Sequence, residues 1–252
     1  MITNPLFYAA AIPAVTLLGL AKGGFSGLGL LSLPLMALVV SPVQAAAITL
    51  PILIVQDVVS VWAYRHTWDQ RNVALLVAGA VAGILMGYLL AAQVSDAAIK
   101  LAVGVISIGF AMRRMALERS VTPPDAAPAD MPRGLFWGWV TGFTSMIAHA
   151  GGPPFQIYVM PQKLPRDVFV GTGAVLFAIL NWTKVPPYMA LGQFTAENLA
   201  TAAALFPVAI ASTWAGILLV RRISGQSFYT AVYLLLVLVG GKLAYDGASA
   251  LI

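Results

Sequence analysis

Lys22-Gly23-Gly24-Phe25-Ser26-Gly27 and His149-Ala150-Gly151-Gly152-Pro153-Pro154 interrupt two long apolar stretches, Pro5 to Val40 and Gly134 to Met160. Glycine and proline weaken a helix where they fall in its interior. Broken backbone at membrane depth persists only where it is buried in protein or lines a wet cavity. Each break is expected to leave two arms shorter than a comfortable span, folded as a re-entrant hairpin. A glycine-rich break also frees backbone N–H groups, and the helix that follows presents its positive dipole end. Two such tips meeting near the membrane midplane would form an anion site.

The rest of the chain fits that membrane setting. Of the 252 residues, 60% are hydrophobic and 9% charged, against roughly 25% charged in a soluble domain. Mean hydropathy is +0.88. A soluble enzyme, a nucleic-acid binder and a disordered chain are excluded on this composition. The 14 Lys and Arg are scattered among apolar runs and form no basic patch. With no Cys, two His and nine Asp or Glu, neither disulfides nor a metal site is expected. Met1 to Ala21 holds no Lys or Arg, so the first apolar segment is expected to be retained rather than cleaved.

Six further runs have the length of a spanning helix: Val43 to Tyr64, Val73 to Ala92, Ala97 to Met115, Val168 to Leu191, Asn198 to Val220 and Phe228 to Ile252. None alternates as a barrel strand would. The expected class is therefore an all-α polytopic membrane protein, in which simple counting gives seven or eight hydrophobic helices. Glu118 to Arg133 is the one polar linker. It separates a first membrane repeat (residues 1–117) from a second (134–252), with 118–133 as a cytoplasmic linker. Each half runs through a Gly-Gly break, a proline (Pro42, Pro165) and three spans.

Lys and Arg mark cytoplasmic loops. The loop Arg65 to Arg71 is positive, whereas its counterpart, Tyr188 to Glu197, has no Lys or Arg. The second half is positive one loop later, at Arg221 and Arg222. Swapped bias between equivalent loops predicts repeats inverted in the membrane. Gly79, Gly83 and Gly87 form a small-residue stripe that predicts close helix packing.

Ionisable groups inside apolar runs are costly and are read as functional. Lys22 adjoins the first break and His149 the second. Lys22 would neutralise a bound anion, or pair with Asp57, or snorkel to an interface. His149 would do the same when protonated, carry a proton, or cap a helix. Asp57, within a span, is read as a proton acceptor or the counter-ion of Lys22. Its near-equivalents by alignment of the halves are Leu180 and Asn181. Asn181 and Lys184 share a helix face, and Lys184 either contacts substrate or marks the outer interface beside Pro186-Pro187. The substrate-binding set is thus Lys22, Gly23, Gly24, Phe25, Ser26, His149, Gly151, Gly152, Pro153, Asn181 and Lys184, with Asp57 and His149 as candidates for proton coupling.

The Gly19 to Gly27 motif, the Gly151-Gly152-Pro153 break and the Asn181-Trp182-Thr183-Lys184 stretch resemble the TauE/SafE family of membrane permeases over nearly the whole chain. That resemblance implies a transporter of a small sulfur-containing anion, since members are linked to export of sulfite and related organosulfur anions and some to uptake of sulfonates. The sequence itself argues for a small anion only. The leading function is secondary transport, in the export direction, of sulfite or a sulfonate such as sulfoacetate, by alternating access around the two tips with one repeat rocking against the other. The alternative is a passive anion channel or an uptake permease for a sulfur-containing or carboxylate anion. A membrane enzyme built on His66 and Asp69, and a purely structural subunit, fit less well. The expected partners are the small anion and the lipid bilayer, with protons as coupling ion and homo-oligomerisation left open. No cofactor, metal or nucleic acid is expected.

Overall fold

The computed structural model describes residues 1–25, 27–91, 93–119, 128–219 and 226–251. Ser26, half of the polar linker (120–127) and the Arg221-Arg222 pair lie outside the described residues. Among the described residues there is no strand. Ten α-helices follow one another: α1 (Pro5–Gly23), α2 (Ser32–Ala37), α3 (Pro42–Tyr64), α4 (Gln70–Ala91), α5 (Asp96–Arg119), α6 (Met131–Ala148), α7 (Gly152–Val159), α8 (Arg166–Ala190), α9 (Ala196–Leu219) and α10 (Gln226–Ser249). Single 3-10 turns precede α2 (Leu28–Leu31) and follow α7 (Met160–Gln162). The six expected spans all fall on long helices. Five helices, α1, α3, α4, α8 and α9, are long and apolar enough to cross a membrane.

The order long, short, long, long, long is followed twice. Its boundaries are written locally. Asn4 accepts the Leu6 N–H at 2.9 Å, with Pro5 opening α1. Ser41 accepts the Gln44 N–H at 3.1 Å, with Pro42 opening α3. Asp69 Oδ1 accepts the Asn72 N–H at 2.7 Å, and in the second half Thr195 Oγ1 accepts the Asn198 N–H at 3.1 Å. Each such cap satisfies a donor that the first turn leaves unpaired.

The breaks depart from expectation in one respect. α1 has 19 residues and α6 has 18, about 28 Å of helix at 1.5 Å per residue. Only the returning arms, α2 and α7, are short. The helices run on because Gly23 and Ala148 are the last positions that still fit the helical ladder, so each break falls late in its apolar stretch.

Packing joins the two halves. α1 lies parallel to α9: the Ile2 N–H donates to Thr201 Oγ1 at 3.0 Å near their beginnings, and Gly23 meets Gly216 near their ends. A Cβ on Gly23 would lie 2.3 Å from the Gly216 carbonyl carbon. α4 lies parallel to α6 in the same way. A Cβ on Gly83 would lie 2.0 Å from the Trp139 carbonyl oxygen, and Gly79 and Gly87 are similarly closed in by α6. The stripe therefore does what its spacing predicts, letting two backbones touch. By contrast α3 runs antiparallel to α8, with Asp57 beside Asn181 and Thr67 beside Gly171. α5 runs antiparallel to α10, with Gly104 beside Gly240 and Leu101 beside Gly247.

Candidate functional site

The two broken segments end their helices differently. At the end of α1, Gly24 takes φ +125°, and its N–H and that of Phe25 return to Ala21 O at 3.1 Å and Leu20 O at 3.2 Å. Glycine adopts that backbone without steric cost. At the end of α6 the turn is made by His149 at φ +49°, with its N–H on Ser145 O and the Ala150 N–H on Thr144 O, both at 3.2 Å. Left-handed backbone at a non-glycine residue is uncommon. These bonds commit the N–H groups of Gly24, Phe25, His149 and Ala150. Pro153 and Pro154, at the start of α7, have no N–H at all.

The space between the tips is a cavity of about 140 Å³, well below the roughly 300–1,000 Å³ of pockets for drug-sized ligands. Its polar wall holds Lys22, Ser145, His149, Gln156, Asn181 and Lys184. Its apolar wall is largely aromatic, with Phe110, Phe155, Phe169 and Phe177. Lys22 reaches it from α1, pairs with Asp57 of α3 and lies 5.4 Å from the centre of the Phe177 ring. Asp57, 2% exposed, receives a second bond of 2.6 Å from the Asn181 amide.

Lys184 is 0% exposed. Its ammonium donates to Ser145 O at 3.2 Å, Ser145 Oγ at 3.1 Å and His149 Nδ1 at 2.8 Å. An ammonium has three N–H donors and no acceptor, so all three are in use. His149 Nε2 lies 3.0 Å from Ala46 O. A carbonyl only accepts, so Nε2 carries the hydrogen and Nδ1 is left to accept from Lys184. His149 thus bridges Lys184 and Ala46 in this arrangement, which favours its neutral form over the cationic one among the roles expected of it. The formal charge of the site is two amines against one carboxylate.

The structure gathers Lys22, Gly24, His149, Gly152, Pro153, Asn181 and Lys184 around the cavity. It places four other expected residues elsewhere. Gly23 faces α9, and its carbonyl accepts the Tyr64 hydroxyl at 2.9 Å. Phe25 is buried with Leu28 in a cluster of its own. Gly151 is closed in by Phe177 and Thr141. Asp57 stands behind Lys22 and Asn181 rather than on the cavity wall. Ser26 lies outside the described residues. The interface reading of Lys184 is overturned by its complete burial, and the pairing of Lys22 with Asp57 is realised. Ser145, Gln156 and the four phenylalanines were not foreseen. Ser145 lies four residues before His149 and Gln156 four after Gly152, on the helix faces that carry the tips.

Span-length apolar helices around a small internal cavity with charged groups define a multi-pass membrane protein. Residues 11–243 match the family model described as Sulfite exporter TauE/SafE, and the chain belongs to that family. It is a family of membrane transporters of sulfite and related anions. Comparison with curated proteins and with solved structures gave no match.

Proposed function

We propose that the chain is a secondary transporter, working as an exporter, of a small anion such as sulfite or an organosulfonate like sulfoacetate. It acts in a cell membrane of the bacterial inner-membrane type, without catalysing a reaction on its cargo. The observation that carries this reading is the buried Lys184 beside Lys22 in a cavity with one carboxylate behind it. A buried anion without such partners would carry a large desolvation cost, which charge-assisted bonds offset.

The two repeats, 1–117 and 134–252, are inverted in the membrane. In support, equivalent helices α3 and α8 run in opposite directions, as do α5 and α10. The cavity reaches Phe169 and Val170 in the first turn of α8, the end that lies beside the positive Arg65 to Arg71 loop. This form therefore faces the cytoplasm. Alternating access exposes the cavity to the other side. Each tip is fixed to a helix of the other half by backbone contact, so the bodies that move are α1 with α9 and α4 with α6, rather than one repeat against the other.

Two measurements test this. Purified protein in liposomes should give sulfite or sulfonate flux that saturates and responds to a pH gradient; flux that never saturates points to a channel, and no flux of any tested anion overturns the reading. Because the chain has no Cys, single cysteines report topology directly. Gln193→Cys should react with an impermeant thiol reagent from outside intact cells and Gln70→Cys only after permeabilisation. Reaction of Gln70→Cys alone from outside would reverse the orientation.

A further inference from the structure

Gln156 is 5% exposed and lines the cavity one turn into α7. Its Oε1 is buried with no hydrogen-bond partner, and among the described residues its amide nitrogen has none either. An amide carries both donors and an acceptor whichever way it is turned. On the same wall Asn181 gives an N–H to Asp57, Ser145 Oγ accepts from Lys184, and both ring nitrogens of His149 are engaged, by Lys184 and Ala46. The two lysines offer donors only. They suit the oxygens of an anion, which would take the place of Ser145 on Lys184 or share Lys22 with Asp57, and they leave its own donors unmet. Gln156 supplies a buried acceptor that no protein group uses, together with a further N–H for an anion oxygen.

We propose that Gln156 is a specificity-determining residue that recognises a hydrogen-bond donor on the cargo, so that the preferred ligand is a small oxyanion bearing a hydroxyl or ammonium group close to its charged head. This rests on the anion-cavity reading above. A ligand without the donor leaves a buried acceptor unpaired, which is the costly arrangement.

The test uses three sulfonates of similar size: hydroxymethanesulfonate, aminomethanesulfonate and ethanesulfonate. Binding to the purified protein in detergent is measured by calorimetry. The wild-type chain should bind at least one of the first two about tenfold or more tightly than ethanesulfonate, and the one preferred identifies the donor as hydroxyl or ammonium. Gln156→Met keeps the length of the side chain and should bring the preference to within about twofold while retaining ethanesulfonate binding. Gln156→Leu serves if the first variant does not fold. A wild-type chain that binds all three equally overturns the proposal alone. So does a preference that survives in the variant, or an equal loss for all three ligands. A wild-type chain that binds none of them overturns the anion reading and this proposal with it.

Discussion

The two tips use the same spacing for opposite arrangements. Lys22 and Asp57 are 35 residues apart, and so are His149 and Lys184. In the first half the cation sits on the tip and its carboxylate partner on the following long helix. In the second half a neutral imidazole sits on the tip and the cation on the long helix. The first pair sets an amine against a carboxylate, whereas the second sets an amine against an imidazole. The same offset thus recurs in the two halves with the amine on the opposite member of the pair.

This contrast assigns stability to the first pair and affinity to the second. The largest effect should come from Asp57→Leu, which leaves Lys22 buried without its carboxylate. The expected loss is about 3–5 kcal/mol in denaturation measured in detergent. The double variant Lys22→Met with Asp57→Leu should recover most of it, since an apolar pair replaces the charges. A single variant as stable as the wild type would remove the contrast. Next comes Lys184→Met, expected to weaken anion binding about ten- to hundredfold, from roughly 1.5–3 kcal/mol for bonds to a charged group. Lys22→Met should weaken it less, because Asp57 already offsets that charge. Equal losses would show that both amines meet the anion alike. The smallest effect should come from His149→Gln. A glutamine can also accept from Lys184 and donate to Ala46 O, so affinity should stay within about threefold and its pH profile should not change. A large loss confined to the acid side of the profile would restore His149 as a cation.

Much of the fold was legible because apolar run length is a direct readout of the bilayer. Val43 to Tyr64 and Asn198 to Val220, for example, lie on α3 and α9 nearly end to end. The length of α1 was harder to read, since a Gly-Gly step is a legal helix end as well as a break. Within the site, Lys22, His149 and Lys184 stood out as charges among apolar residues. Ser145 and Gln156 did not, because one small hydroxyl or amide per helix is common in membrane proteins and their role depends on which way the tip turns. Aligning the halves by their glycines matched Asp57 with Leu180 and Asn181. Counting instead from Lys22 and His149 finds Lys184 as the counterpart, and Asn181 as a neighbour that bonds Asp57 across the interface.

The crossed glycine contacts also bear on how the chain is made. α1 leaves the ribosome well before α9, yet Gly19 and Gly23 find their partners there. At roughly 5–20 residues per second, the wait is on the order of ten seconds. During that time the small-residue face of α1 has only lipid or the insertion machinery against it. α6 is spared this delay, since α4 is already in place when it emerges. Biogenesis is therefore asymmetric in a molecule whose two halves share one plan: the first hairpin waits for a helix of the second half, whereas the second finds its partner already made.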